Sequence, residues 1–463
     1  MRLRHRLIRS KLAVTVVFPV VILLPAFAGS ASAAEPLGSI TEFSAGLNSG
    51  SLPEDIVTGP DGNLWFADNA FPPSGTPAIG RINPNTQAIT EFSAGLNGGS
   101  SPFGIAAGPD GNLWFADQGT TGAIGRITPA GTITEFSAGL NANSSPFDIA
   151  AGPDGNLWFT DRGGTKAIGR ITPAGAITEF STGLDANSVP EGIAAGPDGN
   201  LWFAVGGGTT RAIGRINPNT QAIDLFSAGL NAGSNPFWIA AGPDGNLWFT
   251  DNASPPSGTP AIGRINPNTQ AITEFSAGLN GGSSPFGIAA GPDGNLWFTD
   301  PRDDAPAIGR ITPAGTITEF SAGLNSGSQP RYIAAGPDAN MWFTDIGTTP
   351  AIGRIGTAEP SAPPSNAFSF GKLKRNKRKG TATLTVIVPG PGTLVLTGKG
   401  LVKQRPGTVS AAGKVKRKIR SKGRKKRKLN RTGAVKVKAK VTYTPTGGSP
   451  NTKRKRIKLI KRI

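Results

Sequence analysis

Runs of apolar residues recur along most of the chain at a nearly fixed distance from one another. The most regular run, Gly-Pro-Asp-Gly-Asn-Leu-Trp-Phe, begins at Gly59 and occurs in six intact copies and a seventh in which Ala339 and Met341 are substituted. The seven Trp residues of these copies are 44 to 49 residues apart. A period of this length is typical of a four-stranded propeller blade. The tryptophans are Trp65, Trp114, Trp158, Trp202, Trp248, Trp297 and Trp342.

Each repeat predicts four strands. In the second unit these are 103–107, 112–116, 123–128 and 132–136, and Pro109-Asp110-Gly111 predicts a tight turn between the first two. The Leu-Trp-Phe segment has no polar alternation, which is expected of a strand that is buried on both faces of its sheet.

The two ends of the repeat array predict a closed ring. The Ile-Gly-Arg-Ile strand occurs seven times, and so does the strand of the Ile-Thr-Glu-Phe type. The first strand of that second type, Ile40 to Phe43, precedes the first complete unit, and the last unit lacks one. We therefore predict an all-β, seven-bladed propeller over residues 38–356, whose last blade is completed by the N-terminal strand so that no sheet edge is left open.

The first 33 residues predict a secretory signal. Arg2, Arg4 and Arg6 form part of a basic start, an apolar stretch follows, and Ala31-Ser32-Ala33 offers a cleavage site of small residues. The protein is then expected to be secreted and extracellular, in association with the cell wall. An uncleaved membrane anchor is the alternative reading.

The C-terminal part differs sharply from the propeller in charge. Residues 361–463 contain 31 Lys and Arg and no Asp or Glu, whereas residues 34–360 contain 12 basic and 29 acidic residues. We interpret 357–365 as a linker and 366–463 as a Lys/Arg-rich, β-sandwich-like module. Strands are predicted at 381–388, 393–397, 434–441 and 456–460, and 421–430 is expected to be an exposed basic loop.

A surface of one charge sign attracts polyanions. For a secreted protein we expect the partner to be an anionic cell-wall or surface polymer, with a merely solvated face as the alternative. Nucleic acid is not favoured, because only Phe368, Phe370 and Tyr443 are available for stacking on bases. Nothing in the sequence predicts an oligomer, and a monomer is expected.

Cysteine and histidine usage limits the chemistry. The chain has no cysteine, which excludes disulfides and thiolate metal sites. Its single histidine, His5, lies within the predicted signal, so the commonest general base and metal ligand is missing from the rest of the chain.

The start of the innermost strand varies from blade to blade, unlike the rest of the repeat. By propeller geometry these residues surround one mouth of the central channel and are the candidate ligand-binding residues. They either line a pocket for a small ligand or fill a channel that would otherwise be a void. The residues are Glu54, Phe103, Phe147, Asp148, Glu191, Phe237, Trp238, Phe286, Arg331 and Tyr332, with Asp55 beside Glu54.

A second ring consists of an Asp after each Trp-Phe pair, interrupted by Val205. Converging carboxylates bind divalent cations, and Asp300 and Asp345 are the metal candidates. A repeated Asp at a strand end more often accepts hydrogen bonds from the backbone of the following loop. The ring contains Asp68, Asp117, Asp161, Asp251, Asp300 and Asp345.

The repeat, Gly-Pro-Asp-Gly-Asn-Leu-Trp-Phe followed by Ile-Gly-Arg-Ile and Ile-Thr-Glu-Phe, resembles that of the virginiamycin B (streptogramin) lyase family. The resemblance implies a Mg²⁺-dependent elimination that opens a cyclic depsipeptide ester. The histidines which that chemistry needs fall on Phe286 and Arg331, and the carboxylates associated with the metal fall on Gln329 and near Asp345.

Phenylalanine cannot accept a proton and arginine stays protonated. The sequence therefore favours a non-catalytic binding or scaffold protein without a required cofactor. Two enzymatic alternatives stay open: a Mg²⁺-dependent lyase, and a hydrolase of cyclic esters or lactones that uses carboxylates such as Glu54, Glu191 and Asp148.

Overall fold

The computed structural model describes residues 34–253, 256–302, 304–359, 364–446 and 448–463. The predicted signal lies outside the described residues. The chain divides after Ala358 into two compact units.

The first unit is a ring of four-stranded antiparallel sheets, seven of them in the described residues, each formed by one repeat. Blade 1 contains β2 (Pro53–Thr58), β3 (Leu64–Asp68), β4 (Ala78–Ile82) and β5 (Ile89–Phe92). Blade 2 contains β6 (Pro102–Ala107), β7 (Leu113–Asp117), β8 (Ala123–Ile127) and β9 (Ile133–Phe136). Blade 3 contains β10 (Pro146–Ala151), β11 (Leu157–Asp161), β12 (Ala167–Ile171) and β13 (Ile177–Phe180).

The remaining blades repeat this order. Blade 4 contains β14 (Val189–Ala195), β15 (Leu201–Gly206), β16 (Ala212–Ile216) and β17 (Ile223–Phe226). Blade 5 contains β18 (Pro236–Ala241), β19 (Leu247–Asp251), β20 (Ala261–Ile265) and β21 (Ile272–Phe275). Blade 6 contains β22 (Ile288–Ala290), β23 (Leu296–Asp300), β24 (Ala307–Ile311) and β25 (Ile317–Phe320). Blade 7 contains β26 (Pro330–Ala335), β27 (Met341–Asp345), β28 (Ala351–Ile355) and β1 (Ile40–Phe43).

The predicted ring closure is confirmed. Strand β1 pairs with β28 in antiparallel register, from Ile40 opposite Ile355 to Phe43 opposite Ile352. The first and last strands of the unit therefore belong to one sheet, and the outer edge of blade 7 is covered in the same way as those of the other blades.

The repeated residues pack within each blade in one fixed arrangement, which blade 2 illustrates. Trp114 and Phe136 stack with ring centroids 5.6 Å apart, and the guanidinium of Arg126 lies over both rings at 5.5 Å. The indole Nε1 of Trp114 donates to Asp110 Oδ1 at 3.0 Å, in the turn where Gly111 has a φ of 77°. The Arg of Ile-Gly-Arg-Ile and the Asp of the turn thus have structural roles.

The second unit consists of two antiparallel sheets on a shared apolar core, as predicted for the β-sandwich-like module. Leu384, Val386, Tyr443 and Leu459 are among the buried residues that the two sheets contribute. One sheet contains β29 (Ser369–Asn376), β30 (Thr381–Val388) and β33 (Gly413–Ile419); the other contains β31 (Gly392–Thr397), β32 (Gly407–Val409), β34 (Ala434–Pro445) and β35 (Asn451–Ile460).

The expectation of an exposed loop at 421–430 is wrong. These residues are largely helical, in α1 (Gly423–Thr432). Lys and Arg are good helix formers, Leu429 buries its side chain in the core of the unit, and Gly433 ends the helix in a left-handed conformation with a φ of 66°. No helix in the described part of the chain is long and apolar enough to cross a membrane.

Candidate functional site

Two adjacent variable residues lie between a Pro and an Ile at the start of each blade's inner strand, and in blade 6 they directly precede β22. In blades 1 to 5 and blade 7 the register with the second strand shifts between that Pro and that Ile, as in a β-bulge. Bulges redirect side chains, and here aromatic residues from five different blades pack in one cluster. The variable residues therefore meet where the blades converge.

The aromatic cluster, which we define as Phe103, Phe147, Phe237, Trp238, Phe286 and Tyr332, consists of rings in mutual contact. The shortest centroid distances are 4.4 Å for Phe103–Phe147, 4.4 Å for Phe237–Phe286 and 4.5 Å for Trp238–Tyr332. Phe147 and Tyr332 are fully buried. This geometry is that of a packed plug, one of the two arrangements that the sequence left open.

Glycines make room for the larger residues of the cluster. At the second variable position, Gly192 and Gly287 each precede a blade with a bulky aromatic side chain there, and Gly104 precedes the blade of Asp148. A Cβ on Gly192 would lie 2.9 Å from the ring of Trp238, and one on Gly287 would lie 2.8 Å from Cα of Tyr332. The alternation of Gly with larger residues lets the inner strands approach each other closely.

Two buried carboxylates of this region bind backbone rather than solvent. Asp55 accepts from the N–H groups of Ile56 and Ile105 at 2.9 Å, and Asp148 accepts from those of Ile149 and Ile193 at 2.8 and 2.7 Å. Each Asp thereby connects its own blade to the next one. Burial raises the pKa of Asp55 to about 7 and that of Asp148 well above its usual range.

Charged side chains complete the surroundings of the aromatic cluster. Arg162 forms an ion pair with Glu191 and lies over the ring of Phe147, and the guanidinium of Arg331 lies 4.7 Å from the centroid of Phe286. Burial raises the pKa of Glu54 to about 7, against the opposing charge of Arg331. Arg162 was not among the sequence candidates. The only feature of the sequence that points to Arg162 is its position directly after the Leu-Trp-Phe-Thr-Asp strand of blade 3.

In every blade except blade 4, the Asp after the Trp-Phe pair connects the segment before the inner strand to the loop after the second strand. Asp117 accepts from the N–H groups of Ser101 at 2.6 Å and Gly119 at 2.8 Å, and from the hydroxyl of Ser100. The other members make equivalent bonds. This is the loop-supporting arrangement of the two that the sequence allowed.

Each Asp of this ring also lies beside the Glu of the outermost strand, in what we call the carboxylate pairs. In blade 2, Ser100 Oγ donates to Asp117 and lies 3.1 Å from Glu135 Oε1, while Glu135 Oε2 accepts from Asn97 N–H at 2.8 Å. Burial, together with the neighbouring Asp117, raises the pKa of Glu135 to about 7. The six pairs are Asp345–Glu42, Asp68–Glu91, Asp117–Glu135, Asp161–Glu179, Asp251–Glu274 and Asp300–Glu319.

Blade 4 lacks both members of the carboxylate pair. Val205 stands where the other blades have Asp and Leu225 where they have Glu, and both belong to one apolar cluster. Both carboxyl groups are thus replaced together in this blade. This indicates that the two groups of a pair act as a unit, because an Asp without its Glu, or a Glu without its Asp, would lose its neighbour.

A model of the virginiamycin B lyase family matches residues 28–205, 140–276 and 185–361. The chain belongs to the virginiamycin B lyase family. No match was found among curated proteins.

Solved structures agree with this family assignment. A streptogramin B lyase is 29% identical with a TM-score of 0.58, over 69% of this chain and 97% of that one. A virginiamycin B lyase from Staphylococcus aureus is 30% identical with a TM-score of 0.58, over 69% of this chain and 99% of that one. A structure of YCF48 bound to D1 peptide, 16% identical with a TM-score of 0.53 over 72% and 100% of the chains, shares the fold alone.

The positions implied by the lyase resemblance do not fit a Mg²⁺ site. Phe286 and Arg331 pack against each other, and the cation of Arg331 would repel a metal ion. The carboxylate of Asp345 accepts from the N–H groups of Gln329 and Gly347, both at 2.7 Å, and from Ser328 Oγ, like the equivalent Asp of other blades. No group of three or more His, Cys, Asp or Glu among the described residues could hold a metal.

Proposed function

We propose that this member of the virginiamycin B lyase family is a secreted, non-catalytic binding or scaffold protein, held at the cell surface by its basic C-terminal unit. The observation that carries the proposal is the packing of Phe286 and Arg331 at the two positions where the resemblance requires histidine. Neither side chain can take a proton from a substrate.

The residues around the aromatic cluster support the same proposal. Asp55 and Asp148 use both carboxylate oxygens to accept backbone hydrogen bonds, and Glu191 is neutralised by Arg162. These carboxylates are committed to holding neighbouring blades together. A ligand of the propeller would accordingly be bound over the rim of the aromatic cluster rather than inside it.

Attachment at the surface is supported by charge. The 31 Lys and Arg of residues 361–463 have no acidic neighbour within that segment, and a field of one sign draws polyanions from solution in a salt-dependent way. The predicted signal would deliver the chain to the compartment where wall and surface polymers are found.

Cell fractionation tests the attachment. We expect the full-length protein to sediment with the cell envelope at low salt and to be released by high salt, because the contacts are electrostatic. A protein that stays in the medium at low salt would contradict the attachment.

A lyase assay tests the absence of catalysis, since family membership favours lyase activity as the second candidate function. The protein is incubated with a type B streptogramin and Mg²⁺, and no ring opening is expected. Ring opening that disappears in Asp345→Ala would overturn the non-catalytic proposal and establish the lyase.

A further inference from the structure

The C-terminal unit has a groove at the start of α1, beside the β34–β35 hairpin. Its cavity volume is about 1160 Å³, and nine of its thirteen lining residues are Lys or Arg, while none is acidic or aromatic. The basic residues come from several elements: Arg375 from β29, Arg424 from α1, Lys438 from β34, and Arg456 and Lys458 from β35. These four elements thus contribute like charges to one groove.

The hairpin beside the groove has like charges directly opposite each other, which we call the basic ladder. Its three rungs are Lys436–Lys458, Lys438–Arg456 and Lys440–Arg454, and all six side chains are exposed. Like charges that face each other across a sheet destabilise it. Residues 361–463 contain no Asp or Glu, so no acidic side chain of that segment neutralises the ladder.

The groove also contains donors suited to an anion. Helix α1 begins after Lys422 without a side-chain cap and has no acidic residue in its first turn, so its first N–H groups and the helix dipole favour an anion beside Arg424. The Nε of Arg375 donates to the carbonyl of Lys458 at 3.0 Å, which fixes this guanidinium at the edge of the ladder. A fixed guanidinium binds phosphate oxygens through two parallel hydrogen bonds.

We propose that this groove is a binding site for a linear polymer that carries phosphate or phosphodiester groups and no nucleobases. The inference rests on the proposed surface attachment and deepens it by naming the site and the class of ligand. Successive rungs lie two residues apart, about 6.8 Å along the strand, so the matching anion has charges repeated along a chain.

The lining of the groove decides between classes of polyanion. Phe368 and Tyr443 are in the core of the unit, Phe370 is half-buried against that core, and none of the three lines the groove. Bases of a single-stranded nucleic acid would therefore have no stacking partner there. Arg forks and an uncapped helix start favour phosphate over an isolated carboxylate on a sugar, because a phosphate presents several acceptor oxygens at once.

Titration of the protein spanning residues 34–463 with fluorescent linear inorganic polyphosphate tests the site, at several salt concentrations. The ladder variant carries Lys438→Gln, Arg456→Gln and Lys458→Gln. The matched control carries Lys403→Gln, Arg405→Gln and Lys414→Gln, which remove the same charge and the same residue types from exposed positions of the unit outside the groove. Thermal unfolding of both variants shows that they are folded.

We expect the ladder variant to bind polyphosphate at least about tenfold more weakly and the control less than about threefold, since only the former loses direct contacts. The slope of log K against log salt concentration is negative, and its magnitude should be smaller by about two to three in the ladder variant, close to one per lost contact. Equal losses in the two variants would overturn the site. Equally tight, ladder-dependent binding of polyglutamate would overturn the ligand class, as would tighter binding of oligothymidylate.

The outcomes separate this inference from the proposed function. If the protein sediments with the envelope but polyphosphate binding is the same in both variants, the site is wrong and surface attachment stands. If polyphosphate binding depends on the ladder but the protein never sediments with the envelope, the site stands and the attachment is wrong.

Discussion

At the scale of single residues, the repeat is governed by contacts that only one side chain can make. The Gly of each Ile-Gly-Arg-Ile strand lies opposite the Phe of the neighbouring Leu-Trp-Phe strand, as Gly125 does opposite Phe115. A Cβ on Gly125 would overlap that ring. The Phe lies flat over the glycine and covers a position where any side chain would push the two strands apart.

Substitution at this glycine gives a residue-scale prediction. Gly125→Ala should lower the free energy of unfolding by about 1–3 kcal/mol, because the added methyl group overpacks a fully buried site. Gly98→Ala is the matched control, since nothing lies within 4 Å of its Cβ position. Urea denaturation of both variants measures the effect, and a loss in Gly98→Ala as large as in Gly125→Ala would refute the packing explanation.

At the scale of elements, strands β34 and β35 combine a buried apolar face with an exposed face of one charge sign. Val435, Val437, Ala439 and Val441 alternate with lysines along β34 and lie in the core of the unit. The apolar face stabilises the hairpin, and the basic ladder opposes it. The buried face therefore holds the hairpin together, while repulsion between the exposed basic residues lowers its stability.

Reversing one charge of the ladder should stabilise the unit in the absence of ligand. Lys438→Glu places a carboxylate opposite Arg456 and should raise the free energy of unfolding by about 0.2–1 kcal/mol, with most of the gain lost in high salt. Lys403→Glu makes the same charge change outside the hairpin. An equal gain in both variants would mean that net charge, rather than the ladder, sets the effect, and thermal unfolding at low and high salt decides.

At the scale of the whole molecule, acid groups with raised pKa values accumulate over the ring. Burial raises the pKa of Glu42 and Glu179 to about 8 and that of Glu91, Glu135 and Glu274 to about 7, from an ordinary value of 4.5. A raised pKa means that the folded state holds its proton more tightly than the unfolded state. The contribution of these Glu residues to the free energy of unfolding is fully present below about pH 4.5 and is lost as the pH rises through 7 to 8.

The propeller should therefore unfold more easily at pH 9 than at pH 5.5. Glu135→Gln should flatten part of this dependence, because the amide accepts from Asn97 N–H, donates to Asp117 and does not ionise. The variant should lose less stability than the wild type between the two pH values, by urea denaturation. Lys403→Gln serves as a control whose pH dependence is that of the wild type, and a Glu135→Gln profile parallel to the wild type would disprove the role of the pair.

The sequence by itself determined the blades, their number and the closure of the ring. The repeat places Trp, Phe, Gly and Arg at fixed spacing, and these contacts are local to one blade or to neighbouring ones. The offset of the Ile40–Phe43 strand likewise leaves one place for it in the ring. These features can be predicted from the sequence because every blade repeats the same local contacts.

Only the tertiary structure decided what the variable residues do. Phe103 and Tyr332 are more than two hundred residues apart and come within 5.7 Å because seven blades converge on one axis. The pairing of Asp117 with Glu135 and the position of Arg162 over Phe147 also depend on how strands and loops cross each other in space. The groove beside α1 needed a helix where the charge pattern had indicated a loop, since the burial of Leu429 depends on the folded core.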